Sequence, residues 1–141
     1  MTSFVPTQSH GLTWSASESS RAPFCTTPPR NVRRGEVWLI DFGEPVGREQ
    51  AGLRPAVVVS PDPLNDSRAG VVIVVPVTTN RRELPSHVEI ETGVSGLDAV
   101  SYAKCEDVKS VSEERFVTRL GIVDAEIGFQ IRRILRFLLD L

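Results

Sequence analysis

Two short, almost wholly apolar runs do most to constrain how this chain of 141 residues can fold. They read PAVVVS at 55–60 and VVIVVPV at 71–77, and they are rich in the β-branched side chains that favour strands. Gly, Pro, Asn or Asp residues bound each run, as is typical of strand ends. Because both runs are apolar on both faces, they are predicted to be central strands of a sheet that is covered on each side.

Three further strands are predicted on either side of these two. EVWLIDF at 36–42 is again mostly apolar, whereas HVEIE at 87–91 and AVSYAKC at 99–105 alternate between apolar and polar residues. Alternation of this kind is typical of strands that are half exposed. The intervening segments, which include VGREQAGL and GVSGL, are predicted to be loops.

The last element has the period of a helix. Asp124 stands where an N-cap belongs, and arginines occupy much of the remaining circumference. The apolar positions fall at steps of three and four: Ile127, Ile131, Ile134, Leu138 and Leu141. Strands in close succession and one closing amphipathic helix predict a mainly β protein with helices (α+β), built as a small, partly closed antiparallel barrel.

The first 31 residues differ in composition from the rest of the chain. Ser, Thr and Pro make up about half of them, and their apolar residues follow no period. Such a segment buries too little apolar surface to offset the entropy of ordering it, so residues 1–31 are predicted to be a disordered tail. Residues 32–141 are predicted to form one domain, which is a normal size for a single core.

Cysteine content and hydropathy bear on the cellular location. Cys25 and Cys105 are too few for a disulfide framework, and neither has a Cys or His neighbour at zinc spacing, which favours a reducing compartment. No apolar run approaches the roughly 20 residues that a membrane span requires. We therefore expect a soluble, cytoplasmic protein with no membrane association.

Polar side chains stand at the edges of the two central strands. Glu49 and Arg54 lie in GREQAGLRPAVVVS at 47–60, and Thr78 follows the second run in PVTTN at 76–80. Side chains in these positions can converge on a phosphate group. The segment is therefore a candidate ribonuclease site.

Several short motifs recur in a fixed order between residues 33 and 141. RRGEVWLIDF is followed by GREQAGLRPAVVVS, VVPVTT and LPSHVEIE, and RLG at 119–121 precedes the terminal helix. Together they resemble the MazF/PemK-type toxin endoribonucleases of type II toxin–antitoxin systems, and a set of motifs in order is more specific than any one of them. The resemblance implies an SH3-like small β-barrel, a homodimer, and metal-independent, cofactor-free cleavage of single-stranded mRNA at selected sequences. It also implies growth arrest, a cognate MazE-like antitoxin bound across the same groove, and contact with operator DNA only through that antitoxin.

The residues are also consistent with such chemistry when they are considered by themselves. Cleavage through the RNA 2′-hydroxyl needs a proton acceptor, a group that stabilises phosphoryl charge and a proton donor for the departing 5′-oxygen. The chain holds only His10 and His87 and has no carboxylate cluster at metal spacing, which disfavours paired-histidine and metal mechanisms. Arg54 suits charge stabilisation, because a guanidinium stays protonated and contacts two phosphoryl oxygens at once. An ion pair that pins the loop to the strand is the structural alternative for Arg54.

Thr78 and Glu49 complete the predicted catalytic set. In the resembled family the threonine after the second central strand is catalytic, and Thr78 is the aligned one, with Thr79 the alternative if the register slips by one. The Thr78 hydroxyl can donate to a non-bridging oxygen, although most strand threonines bond to the backbone. Glu49 is the candidate proton acceptor or arginine-orienting group, or else an exposed loop glutamate.

RNA contacts are predicted from the loops beside this site. The predicted set is Arg48, Gln50, Thr79, Arg81, Arg82 and His87, and Arg33 and Arg34 are further candidates for tracking the phosphate backbone. Each arginine alone could be a solubilising surface charge, His87 a structural residue, and Trp38 part of the core instead of a base-stacking ring. Removing the tail's two basic and one acidic residues from totals of 16 and 18 leaves 14 and 17, so any RNA-binding surface must be a local patch.

Two positions depart from the resembled family. Glu106 stands where many relatives have a glutamine in a strand that helps to read RNA, and Arg48 replaces the small residue usual before the loop glutamate. Both bear on the cleavage sequence and not on the chemistry.

Two other functions are compatible with parts of the pattern. A CcdB-type toxin shares the barrel but poisons DNA gyrase by binding, without catalysis; the Arg-Pro and PVTT motifs disfavour it, because a pure binder needs no phosphate-facing arginine and threonine. A degenerate barrel retained for antitoxin or operator binding would have no effect on growth.

Overall fold

A computed structural model of the chain describes residues 31–43 and 52–141. Almost all of the predicted tail lies outside the described residues, and so do Arg48, Glu49 and Gln50 of the predicted loop. The elements follow in the order β1 (Glu36–Asp41), β2 (Leu53–Val58), α1 (Asp62–Asn65), β3 (Val71–Thr78), β4 (His87–Ile90), β5 (Ser101–Lys104), β6 (Lys109–Ser112), β7 (Phe116–Ile122) and α2 (Ala125–Leu139). Single turns of 3-10 helix, Cys105–Asp107 and Glu113–Arg115, precede β6 and β7.

The seven described strands form one antiparallel sheet, in which six follow the order β4-β5-β3-β2-β1-β7 and the seventh, β6, pairs with β3 beside this row. The first half of β3 pairs with β6, and its last two residues pair with β5. Among the described strands, no pairing joins β4 to β7 to close the sheet. The predicted fold class, a mostly antiparallel sheet with a C-terminal helix, is confirmed. The two apolar runs do occupy the centre as β2 and β3.

Strand alternation divides the buried side chains into two clusters, one on each face of the sheet. On one face Val57, Val75 and Val88 pack with Ile131 of α2. On the other face, Trp38 and Ile40 pack with side chains from β2, β3, β6 and β7, and the Trp38 ring meets the ring of Phe116 edge-on with centroids 5.5 Å apart. Trp38 is 6% exposed, so its expected place in the core is confirmed.

The helix α2 begins as predicted but does not bury its whole apolar stripe. The Asp124 carboxylate accepts a hydrogen bond from the Ile127 N–H at 2.9 Å, which confirms the N-cap. Ile131 is buried, whereas Leu138 is 40% exposed and Leu141, beyond the end of the helix, is 78% exposed. The apolar stripe of α2 is therefore buried near its middle and exposed at its C-terminal end.

One buried carboxylate ties the start of β1 to β7. Glu36 accepts hydrogen bonds from the Arg33 N–H, the Trp38 indole N–H and the Arg119 guanidinium, each at 2.9 Å. The three donors compensate for the cost of removing the carboxylate from water. These hydrogen bonds hold the start of β1 against β7.

No helix in residues 31–43 and 52–141 is long and apolar enough to cross a membrane.

Candidate active site

The strand register brings Arg54 and Thr78 to the same end and the same face of the sheet. β2 pairs with β3 through Ala56 and Pro76, and one more step of two residues along that register would set Arg54 opposite Thr78. On its other side Arg54 is paired with Ile40 of β1. Facing residues in a regular antiparallel pair have Cβ atoms about 5 Å apart, so the two polar side chains are close enough to contact one group together.

Both residues lie where the apolar interior meets solvent. Ala56 and Pro76, one step deeper in the strands, are fully buried, whereas Arg54 is exposed and Thr78 half-buried. The Thr78 Oγ1 accepts a hydrogen bond from the Asn80 N–H at 3.1 Å. This bond orients the hydroxyl through its oxygen, and its own hydrogen can still be donated.

Two residues that the sequence analysis did not select continue the row beyond Thr78. Thr78 is paired with Tyr102 of β5, and Tyr102 is paired in turn with Glu89 of β4. Paired residues lie on the same face of a sheet, so Arg54, Thr78, Tyr102 and Glu89 share one face. The alternation in AVSYAKC predicted that Tyr102 and Ala103 would lie on opposite faces, but only the pairing of β5 with β3 places Tyr102 next to Thr78.

His87 and Glu106 form a pair beside this row. The His87 ring is 3% exposed and its Nε2 lies 3.0 Å from Glu106 Oε2, while the Ser86 hydroxyl donates to Oε1 at 2.7 Å. Burial alone would raise the pKa of the Glu106 carboxyl, but the hydrogen bonds from Ser86 and His87 outweigh burial and hold that pKa below its usual range. Glu106 belongs to a 3-10 turn and not to a strand. The His87 ring is buried, and its contact with RNA stays a prediction.

Two lysines on the same face flank a common carboxylate. Asp107 Oδ2 lies 4.0 Å from Lys104 Nζ and its Oδ1 lies 3.7 Å from Lys109 Nζ. Lys109 Nζ is also 5.2 Å from the centre of the Phe42 ring, at the end of β1. These contacts hold both ammonium groups near the end of the sheet where Arg54 and Thr78 lie.

The remaining predicted RNA contacts divide between the two ends of the molecule. Thr79, Arg81 and Arg82 are exposed in the segment that follows β3, and Arg81 Nε lies 3.5 Å from Glu83.

Arg33, in contrast, lies just before the start of β1 and pairs with Asp66 at 3.0 Å. β1 rises about 3.3 Å per residue over six residues, which puts Arg33 and Arg34 about 20 Å from the site. These two arginines are structural or surface residues.

Within the described ranges, no group of three or more His, Cys, Asp or Glu side chains is placed to hold a metal ion.

Cys105 is a free, fully buried thiol, and burial together with the nearby Glu106 charge raises its pKa to about 12. It is packed under α2, on the face opposite to Tyr102, and takes no part in the site.

Comparison with known proteins identifies the family of this chain. The model of the PemK-like, MazF-like toxins of type II toxin–antitoxin systems matches residues 33–139. The endoribonuclease MazF9 of Mycobacterium tuberculosis is 36% identical over 115 residues, which cover 78% of this chain and 98% of that protein. The endoribonuclease EndoA of Bacillus subtilis is 30% identical over 97 residues, covering 68% of this chain and 84% of that protein.

Solved structures show the same fold. MazF of Deinococcus radiodurans superposes with a TM-score of 0.68 at 26% identity, covering 78% of this chain and 97% of that one. A MazE-MazF complex from the same organism gives a TM-score of 0.65, also at 26% identity, over 79% and 97% of the two chains. The chain therefore belongs to the PemK-like, MazF-like toxins of type II toxin–antitoxin systems.

Proposed function

We propose that this toxin is a metal-independent endoribonuclease that cleaves single-stranded mRNA at selected sequences and thereby stops translation and growth. Its relatives MazF9, EndoA and a MazF of Staphylococcus saprophyticus are named endoribonucleases, and the chain covers 98%, 84% and 75% of their lengths. The products are a 2′,3′-cyclic phosphate and a 5′-hydroxyl.

One observation carries the proposal: the register brings Arg54 and Thr78 to the same face at the exposed ends of the two central strands. A permanent cation and a hydroxyl donor at that spacing match two oxygens of one phosphate. In the transition state the phosphoryl group carries more negative charge on its non-bridging oxygens than in the ground state. Fixed donors aimed at those oxygens therefore lower the barrier.

The reaction assigned to the site is an in-line displacement. The 2′-oxygen loses its proton and forms a bond to phosphorus, while the bond from phosphorus to the 5′-oxygen breaks and that oxygen takes up a proton. Arg54 and Thr78 stabilise the phosphoryl oxygens. Glu49, which lies between β1 and β2 in the sequence, is proposed to accept the 2′-hydroxyl proton or to orient Arg54.

The test is cleavage of a single-stranded RNA by the purified full chain in EDTA. We expect product ends with a cyclic phosphate, and no cleavage when the nucleotide 5′ of the scissile phosphate is 2′-deoxy. Arg54→Ala is expected to lower the rate about 100-fold or more, as removal of one transition-state donor does in other enzymes. Thr78→Val, which keeps the shape but removes the hydroxyl, is expected to have a smaller effect in the same direction.

A matched variant at the far end of β1 provides the control. Arg34→Ala removes an exposed arginine about 20 Å from the site and is expected to cleave like the parent protein. A requirement for magnesium, or full activity of Arg54→Ala, would contradict the proposed chemistry. Growth arrest that persists in an Arg54→Ala, Thr78→Ala double variant and is relieved by a gyrase mutation would instead favour gyrase poisoning.

We also propose that the toxin forms a homodimer and is inhibited by a cognate antitoxin that binds over the face that carries Arg54 and Thr78. The solved relative from Deinococcus radiodurans is a MazE-MazF complex, which supports the antitoxin. Exposed apolar side chains support self-association: Phe129, Phe137, Leu139 and Leu141. Light scattering that shows a monomer at micromolar concentration would contradict the homodimer.

A further inference from the structure

We propose that Tyr102 is the stacking platform for one of the two bases that flank the scissile phosphate, and that Glu89 beside it selects a base bearing an exocyclic amino group. This inference rests on the proposed function, because it assigns a base subsite to the same site. It also explains two side chains on this face that the proposed cleavage chemistry does not use.

The position of Tyr102 follows from two strand pairings. Tyr102 is the direct partner of Thr78 on one side and of Glu89 on the other, so the three side chains stand in a row on one face. Neighbours in such a row have Cβ atoms about 5 Å apart. A nucleotide whose phosphate contacts Thr78 therefore has its adjoining base within reach of the Tyr102 ring.

The Tyr102 side chain is available for this role. It is half-buried, and within the described part of the chain neither a hydrogen bond nor a ring contact engages it. Single-stranded RNA is commonly bound by stacking unpaired bases on such rings, because every base has a π face. Lys104 and Lys109 lie on the same face, so the ring has cations nearby for the adjoining phosphates.

Glu89 supplies a reason for base selection. Its side chain is exposed, and among the residues that the structure describes no hydrogen bond or ion pair engages the carboxylate. A carboxylate only accepts hydrogen bonds, so it pairs with the amino groups of guanine, cytosine or adenine. Uracil has one N–H between two carbonyl oxygens, and those oxygens repel the carboxylate. Uracil should therefore be excluded from this subsite.

The test is cleavage of an RNA pool with a randomised segment, with sequencing of the new 5′-hydroxyl ends. The parent protein is expected to deplete uracil at one position next to the cut. Tyr102→Leu keeps a large apolar side chain but cannot stack, and is expected to lower kcat/KM roughly 10- to 100-fold and to flatten the preference at that position. Tyr102→Phe keeps the ring and should retain both the rate and the preference.

Glu89→Gln tests the base reading separately. The amide offers a donor as well as an acceptor, so this variant is expected to admit uracil at the position where the parent protein excludes it. Glu114→Gln, an exposed carboxylate outside the row, serves as the matched control and should leave the profile unchanged. Thermal melting of each variant shows whether it is folded.

The outcomes separate this inference from the proposed function. Arg54-dependent cleavage whose base profile is the same in Tyr102→Leu and the parent protein would overturn the role of Tyr102 alone. A uracil exclusion that survives Glu89→Gln would overturn the role of Glu89. A parent protein that cleaves no RNA would overturn the proposed function and this inference with it.

Discussion

Glu106 is held ionised by its neighbours at the edge of the candidate site. The hydrogen bonds from Ser86 and His87 lower the pKa of its carboxyl despite partial burial. A depressed pKa in the folded state means that the unfolded chain binds the proton more tightly. The stabilisation is thus present above the ordinary glutamate pKa and is lost as the pH falls through the lower folded value.

The first prediction follows from this sign. Glu106→Gln should unfold at a lower denaturant concentration than the parent near pH 6, and the difference should shrink as the pH falls toward 3, because only the parent has the carboxylate whose ionisation stabilises the fold. The carboxylate is 38% exposed, so the difference should be modest, about 1 kcal/mol or less. Urea unfolding at the two pH values measures it. A larger difference at pH 3 than at pH 6 would contradict the assignment.

At the scale of elements, β7 and the turn at 93–96 meet with almost no space between their backbones. The Ile122 N–H donates to the Val94 carbonyl at 2.9 Å. A Cβ on Gly121 would lie inside van der Waals contact of Val94 and Ser95, and one on Gly96, which has φ +76°, would meet the Leu120 carbonyl. The glycine of the RLG motif therefore has a structural role, and that motif supports the fold, not the chemistry.

Two glycine substitutions should have opposite effects. Gly121→Ala puts a methyl group against backbone atoms, which cannot move aside cheaply, and should destabilise the fold by about 3 kcal/mol or more. Gly128→Ala lies within α2, where the nearest atom is the flexible end of Arg132 at 3.2 Å, and should stabilise the fold by about 0.5–1 kcal/mol. Urea midpoints of the two variants decide the point, and equal effects of the same sign would refute it.

The elements differ in how well sequence pattern predicts them. β2 and β3 were predicted because continuous apolar runs leave them no stable place except the centre of a sheet. β6 and β7 were not predicted: β6 has four residues, and β7 exposes Val117, Thr118 and Arg119 in succession and pairs with β1 through two register shifts. An edge strand with bulges has no strict alternation to detect.

Charge has to be considered on the whole molecule, because the chain is slightly acidic, with a net charge of −2. RNA binding must therefore depend on a local group of cations at one end of the sheet. The structure places Arg54, Lys104 and Lys109 there, followed by the exposed Arg81 and Arg82. Arg33 and Arg34 are at the other end and do not add to this group.

The salt dependence of binding tests this distribution. If the cations of this group contact three or four phosphates, the affinity of the protein for a non-cleavable RNA with a 2′-deoxy nucleotide at the cut should fall about 20- to 50-fold between 50 and 200 mM salt. Lys109→Ala should make the slope of log affinity against log salt shallower by about 0.7, whereas Arg34→Ala should not change it. Fluorescence anisotropy measures both. A slope that responds to Arg34 and not to Lys109 would contradict the placement.

The sequence by itself determined the central strands, the N-cap and start of α2, the family, and the identity of Arg54 and Thr78 as the polar residues at the strand ends. These follow from local composition and motif order, which depend only on neighbours along the chain. The tertiary structure alone decided that Tyr102 and Glu89 join the row, that Glu106 holds His87, and that Arg33 and Arg34 lie far from the site. Each of these depends on strand register, and register joins residues that are distant in sequence through backbone hydrogen bonds and packing, which no local pattern specifies.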